Sequence, residues 1–152
     1  SRELSIYYYL SYIYFGLGDY KNALLWINKI LQDKTDLRQD LLCYARLLNC
    51  LIHYEYKNYT ILPHLLKSTI YFINKYKRLY ATEVVFLENY KKLIHNSIYG
   101  KQKSFFIDLK SKLEQIHVDP KEKAIIEYLN FYAWIKSKIN RTPFYKNIEI
   151  GI

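Results

Sequence analysis

Apolar side chains recur at three- and four-residue intervals along most of the chain, and no segment alternates apolar and polar residues well enough to argue for a strand. Taken with capping and turn residues, the pattern predicts seven helices, near residues 2–17, 20–33, 36–56, 60–76, 79–98, 102–117 and 120–139. Gly16-Leu17-Gly18 supplies permissive backbone between the first two, and Asp19 is placed to cap the second. Asp36 followed by Gln39 is a capping-box pattern for the third. Asp119, Pro120 and Glu122 give the seventh a cap, a proline at its first position and a reciprocal acid. The remaining joints, Lys57 to Tyr59 with Pro63 beyond, Lys77 to Arg78, and Tyr99 to Gly100, are less sharply marked.

The seventh helix carries Ile125, Tyr128, Leu129, Tyr132, Ile135 and Ile139 as a one-sided apolar stripe, which is expected to close the end of the core. Beyond it, residues 140–152 contain Pro143 and Gly151 and no sustained period, so they read as a tail that packs, if at all, through Phe144 and Tyr145. Residues 1–139 therefore read as one helical domain.

Residues 7–31, YYYLSYIYFGLGDYKNALLWINKIL, resemble a tetratricopeptide repeat. Tyr7 stands at the early aromatic position, Leu10 and Ser11 at the large-then-small pair, and Tyr14 at the second aromatic. Gly18, Asp19 and Tyr20 occupy the turn, with Ala23, Ile27 and Ile30 on the second helix. Small residues at 11 and 23 let two antiparallel helices approach closely while their large neighbours fill the space beside the contact. The pattern degenerates afterwards: Lys57-Asn58-Tyr59 falls 39 residues after Gly18-Asp19-Tyr20, and Leu62 replaces the small alanine. The resemblance implies an all-α fold of stacked antiparallel helical hairpins, three pairs and a closing helix, wound as a right-handed superhelix.

Such a stack presents a concave surface, and the resemblance points to Tyr8, Tyr12 and Phe15 on the first helix and Tyr44, Leu51 and Tyr54 on the third as its lining. An aromatic groove of this kind grips an extended peptide or a partner helix. The competing reading of the same spacing is core packing. Arg46, Asn49 and His53 share a face of the third helix, where Arg46 is a candidate anchor for a ligand carboxylate or phosphate and an internal polar network is the alternative.

Lys and Arg outnumber Asp and Glu by 23 to 14, and the excess is +3 over residues 1–76 against +6 over 77–152. Lys91, Lys92, Lys101, Lys103, Lys110, Lys112, Lys121 and Lys123 make nucleic-acid binding the second functional reading, although the aromatics concentrate in the first half and the charge in the second. A third is self-association through an open repeat end. Catalysis has little to stand on. The glycines at 16 and 18 lack the third glycine and the strand of a dinucleotide loop, and no phosphate loop, zinc-protease helix or nucleophile elbow occurs. Asp36 and Asp40 sit beside Arg38 at a helix start, where capping accounts for them.

Cys43 and Cys50 lie about 10 Å apart along one predicted helix, too far for a disulfide. With His53, His64, His95 and His117 they offer no zinc-ligand spacing, so neither metal nor cofactor is expected. The most apolar stretch, Leu4 to Leu17, is shorter than the roughly 20 residues of a membrane span, and the expectation is a cytoplasmic protein. The chain contains no methionine, even at its first position, and its first residues already read as helix, so it is expected to be a piece of a longer protein. The function expected is a non-catalytic interaction scaffold for a protein or peptide.

Overall fold

In the computed structural model, which describes residues 2–34, 38–76, 80–95 and 102–148, every regular element is helical and no strand occurs among the described residues. Among the described residues eight α-helices follow in order: α1 (Arg2–Gly16), α2 (Tyr20–Leu31), α3 (Gln39–Glu55), α4 (Leu62–Lys75), α5 (Ala81–His95), α6 (Gln102–Ile116), α7 (Pro120–Lys123) and α8 (Phe131–Asn140). Short 3-10 turns occupy Tyr59–Ile61, Ala124–Glu127 and Phe144–Asn147. The chain divides into two compact units, Ser1–Arg78 and Leu79–Ile152, where the sequence pattern marks a boundary at 139.

In the first unit, α1 reverses into α2 through a tight turn centred on Gly18, whose φ of +79° is the left-handed conformation glycine adopts without penalty. The Asp19 amide donates to the Tyr14 carbonyl at 2.9 Å and the Gly18 amide to Phe15 at 3.0 Å, the paired bonds of a Schellman motif. Asp19 then caps α2, its carboxylate accepting from the Asn22 amide at 3.2 Å. Across this hairpin Ser11 and Ala23 are both fully buried and face each other. The helix α3 packs against α1, α2 and α4, which explains a composition apolar all round: eleven of its residues are buried.

The end of α3 repeats the first turn without the glycine. Lys57 takes a φ of +62°, the Asn58 amide donates to His53 at 3.0 Å and the Lys57 amide to Tyr54 at 3.2 Å. The Lys57-Asn58-Tyr59 segment thus makes the reversal that Gly18-Asp19-Tyr20 makes one hairpin earlier. An added 3-10 turn then delays α4 to Leu62. The expected Asp36 cap lies outside the described residues. Arg38 precedes α3, holding Asp40 through Nε and Nη2 at 3.2 Å each and the Ser5 hydroxyl through Nη1 at 3.2 Å, so the start of α3 is tied to α1. The joints at 77–78 and 99–100, together with Lys101 and Gly151, also lie outside the described residues.

In the second unit α6 packs against both α5 and α8 over an aromatic core. Phe86 stands 4.7 Å from Phe131 and 6.0 Å from Trp134, and Phe106 meets Trp134 edge-on at 5.3 Å. The single seventh helix expected over 120–139 is broken. After α7 and the 3-10 turn, Asn130 starts a new helix by accepting from the Ala133 amide at 3.0 Å. The predicted stripe is therefore divided between two elements: Ile125, Leu129 and Ile135 are buried, Tyr128 is exposed, and Phe131 and Trp134 carry the core contact instead. Residues 141–148 are held in place. Arg141 takes a left-handed conformation (φ 55°) at the end of α8, Phe144 is buried, and the Asn147 side-chain amide donates to Thr142 and Pro143 at 2.8 Å each.

Candidate functional site

Four of the seven side chains expected to line a groove belong to the core: Tyr8, Phe15, Tyr44 and Leu51 are all buried. The cause is the central position of α3, which leaves Tyr44 and Leu51 no open side, and the direction of α1, whose Leu4, Tyr8, Ser11 and Phe15 form its inward face. Burial, followed by the neighbouring Tyr12, Tyr44 and Tyr9, raises the Tyr8 phenol well above its ordinary range. Tyr12 and Tyr54 are half-buried: Tyr12 lies 6.1 Å from the Tyr8 ring, and Tyr54 packs edge-on against Tyr59 at 6.1 Å.

Arg46 is half-buried on α3, its Nη1 donating to Ser68 on α4 at 3.1 Å and its guanidinium lying 4.3 Å from the centre of the Phe72 ring. Its Nε and the Asn49 side-chain oxygen are buried and have no hydrogen-bond partner among the described residues. His53 instead accepts from the Asn58 side chain at Nδ1, 3.0 Å away, and no hydrogen bond joins Arg46, Asn49 and His53 to one another among the described residues.

The outer side of α1 is a different surface. Ile6, Tyr9, Ile13 and Leu17 follow at three- and four-residue steps on the side opposite Tyr8 and Phe15, with exposures of 49%, 56%, 56% and 63%. A helix that buries one apolar face and exposes another has two apolar sides, and the sequence signal for this was the density of Tyr and Ile in α1.

The second unit holds a cavity of about 570 Å³, within the range of ligand pockets. Lys110 and Glu114 reach it from α6, Lys123 from α7, Tyr132 and Lys136 from α8, and His117 from the end of α6. His117 sits in a hydrogen-bonded chain whose direction follows by elimination. Thr82 gives its one hydroxyl proton to Glu122 at 2.8 Å, so His117 Nε2 donates to Thr82 at 2.8 Å and the bare Nδ1 accepts from Tyr132 at 2.7 Å. Burial lowers the His117 pKa, with Glu122 opposing and Lys123 reinforcing, and burial chiefly pushes Tyr132 up to about 12. Both shifts favour a neutral imidazole and a protonated phenol at neutral pH, and the chain of bonds links Thr82 of α5, His117 and Tyr132 of α8.

Glu122 does not reach back to its own helix start. Its two oxygens accept from the Ala81 and Thr82 amides at 2.7 and 3.0 Å, capping α5 from α7, while Asp119 alone caps α7 through the Lys121 amide at 2.9 Å. Cys43 and Cys50 are free and buried, and burial pushes the Cys50 thiol up to about 11. No group of His, Cys, Asp or Glu that could hold a metal ion is found among the described residues. No described helix is long and apolar enough to cross a membrane.

No protein-family model, curated protein or solved structure matches this chain.

Proposed function

We propose that this chain is a non-catalytic helical interaction module, of the stacked-hairpin kind its first repeat resembles, and that it holds an amphipathic helix of a protein partner along the outer face of α1. The observation that carries this reading is the line of Ile6, Tyr9, Ile13 and Leu17, each about half exposed or more, on a helix whose opposite side is already core. Large apolar side chains aligned along a surface helix mark an interaction site, whereas scattered ones are ordinary. Their three- and four-residue steps match the ridges that a second helix packs into, and Tyr9 adds a hydroxyl at the edge. The surface differs from the groove suggested by the repeat pattern, most of whose residues are core.

The test uses immobilised chain and nuclease-treated extract of its source cells. Wild type retains protein partners at moderate salt, and Tyr9→Lys with Ile13→Lys loses them while its helical circular dichroism and melting are unchanged. Retention unaffected by the two lysines, or recovery of nucleic acid alone from untreated extract, would refute the reading.

A further inference from the structure

No Asp or Glu occurs between Tyr56 and Thr82, a stretch that carries Lys57, Lys67, Lys75, Lys77 and Arg78. Within it, α4 places Lys67, Tyr71 and Lys75 at steps of four residues, along one side of the helix with a rise of about 6 Å from each lysine to the ring between them. Both lysines are exposed, and Tyr71 is 72% exposed. The adjoining line, Ser68, Phe72 and Tyr76, is half-buried, and Arg46 of α3 lies over it. The Arg46 guanidinium is 4.3 Å from the centre of the Phe72 ring, Phe72 and Tyr76 are 4.7 Å apart, and the Lys75 ammonium stands 5.3 Å from the centre of the Tyr76 ring. Three cations thus alternate with three rings on one surface. None of the three is paired with a carboxylate among the described residues, and the hydrogen-bond partner of Arg46 is the Ser68 hydroxyl at 3.1 Å. The helix against which α4 packs, α3, has its two acids at its ends: Asp40 is held by Arg38, and Glu55 lies near Tyr20 and Tyr54.

From this arrangement we infer that the outer surface of α4 binds single-stranded nucleic acid, with an unpaired base stacked on Tyr71 and the flanking phosphates held by Lys67 and Lys75. An exposed ring offers its face to any base, whereas a duplex keeps its bases stacked inside and cannot use it. An acidic peptide needs the lysines but not the ring between them, so the alternation of the two points to a strand. Arg46 adds a guanidinium already oriented by Phe72 and Ser68, a geometry that suits a further phosphate. Aromatics concentrate in the first half of the chain and charge in the second, but α4 brings both to one surface. The α1 face takes no part in this site, so the two readings can fail separately.

The test measures binding of a labelled short oligouridylate to the full chain by fluorescence anisotropy, beside an RNA duplex of equal length and polyglutamate. The single strand binds most tightly, and its affinity falls as salt rises. Tyr71→Ala weakens it at least about fivefold, the low end of one base stacked on one ring. Tyr71→Phe keeps the ring and binds as wild type does. Lys67→Gln with Lys75→Gln weakens binding about tenfold or more and makes it less sensitive to salt. The three side chains are exposed, so helical circular dichroism and melting remain those of wild type in every variant. Absence of strand binding, or affinity unmoved by Tyr71→Ala or by the double lysine variant, overturns the inference. Equal or tighter binding of the duplex or of polyglutamate overturns it as well, the latter in favour of an acidic protein partner.

Discussion

The hydroxyl of Ser11 donates to the carbonyl of Ala23 at 2.8 Å across the α1–α2 hairpin, with both residues fully buried. The contact requires small side chains on both helices, because each Cβ faces the other backbone. Ser11→Ala removes one buried hydrogen bond and lowers stability by about 1 kcal/mol. Ser11→Leu must force the helices apart and costs more, about 2 to 3 kcal/mol, accompanied by loss of packing around Phe15. Urea unfolding of the two variants checks the order; equal effects would mean that the close approach carries no energetic weight.

This hairpin shows what the sequence made legible and what it hid. Helix positions in the first unit followed from apolar spacing, and the reversals at Gly18 and Lys57 from their place between helices. Local chemistry decides such features, so they appear locally in sequence. The break at Asn130 was hidden because its apolar neighbours continue the helical period across it, and only the side-chain cap to Ala133 shows the restart. Glu122 was misplaced for a related reason: three residues after Asp119 it fits a capping box, but α5 offers two free amides in space. The inward direction of Tyr8 and Tyr44 depends on which helices surround them, which spacing leaves open. The cavity of the second unit draws on residues spread from Lys110 to Asn147 and had no local signature in the sequence.

Gly18 and Lys57 occupy equivalent left-handed positions with opposite residue types. A Cβ at Gly18 meets nothing within 4 Å, so Gly18→Ala pays only the backbone penalty, about 1 kcal/mol. Lys57→Gly relieves the same strain and raises stability by about 0.5 to 1 kcal/mol. Opposite shifts in thermal midpoint confirm the shared turn; a loss on Lys57→Gly would show that the lysine side chain itself stabilises the reversal.

Removal of the Glu122 carboxylate uncaps α5. Two backbone amides at a helix start and the Thr82 hydroxyl lose a charged acceptor, and Glu122→Ala lowers stability by about 1 to 2 kcal/mol. Amide exchange should accelerate first at Ala81 and Thr82, the two amides that Glu122 accepts from. A change confined to α7, the helix that bears Glu122, would contradict the cross-helix cap.

Burial lowers the pKa of His117 below its ordinary value of about 6.5. Below that value the unfolded chain binds a proton that the folded chain resists, so the contribution is present above about pH 6.5 and is lost as pH falls through the folded pKa. His53 is lowered for the same reason and acts in the same direction. The urea midpoint therefore falls on acidification from neutrality, and less steeply in His117→Gln. Equal slopes for wild type and variant would show that His117 titrates as it does in the unfolded chain.

Asn49 presents the opposite case, a buried polar group that the fold does not satisfy. It is 7% exposed, and its side-chain oxygen has no partner among the described residues, on the helix of the first unit with the most buried residues. A buried acceptor without a donor costs about 1 to 3 kcal/mol relative to a satisfied one, and an apolar side chain of similar volume removes that cost. Asn49→Leu is accordingly expected to raise stability by about 1 kcal/mol, and Asn49→Asp, which buries a charge at the same place, to lower it severely. Paired urea titrations decide the matter: destabilisation by leucine would mean that the oxygen is satisfied in solution, with a trapped water bridging it to the equally unpartnered Nε of Arg46 as the first candidate.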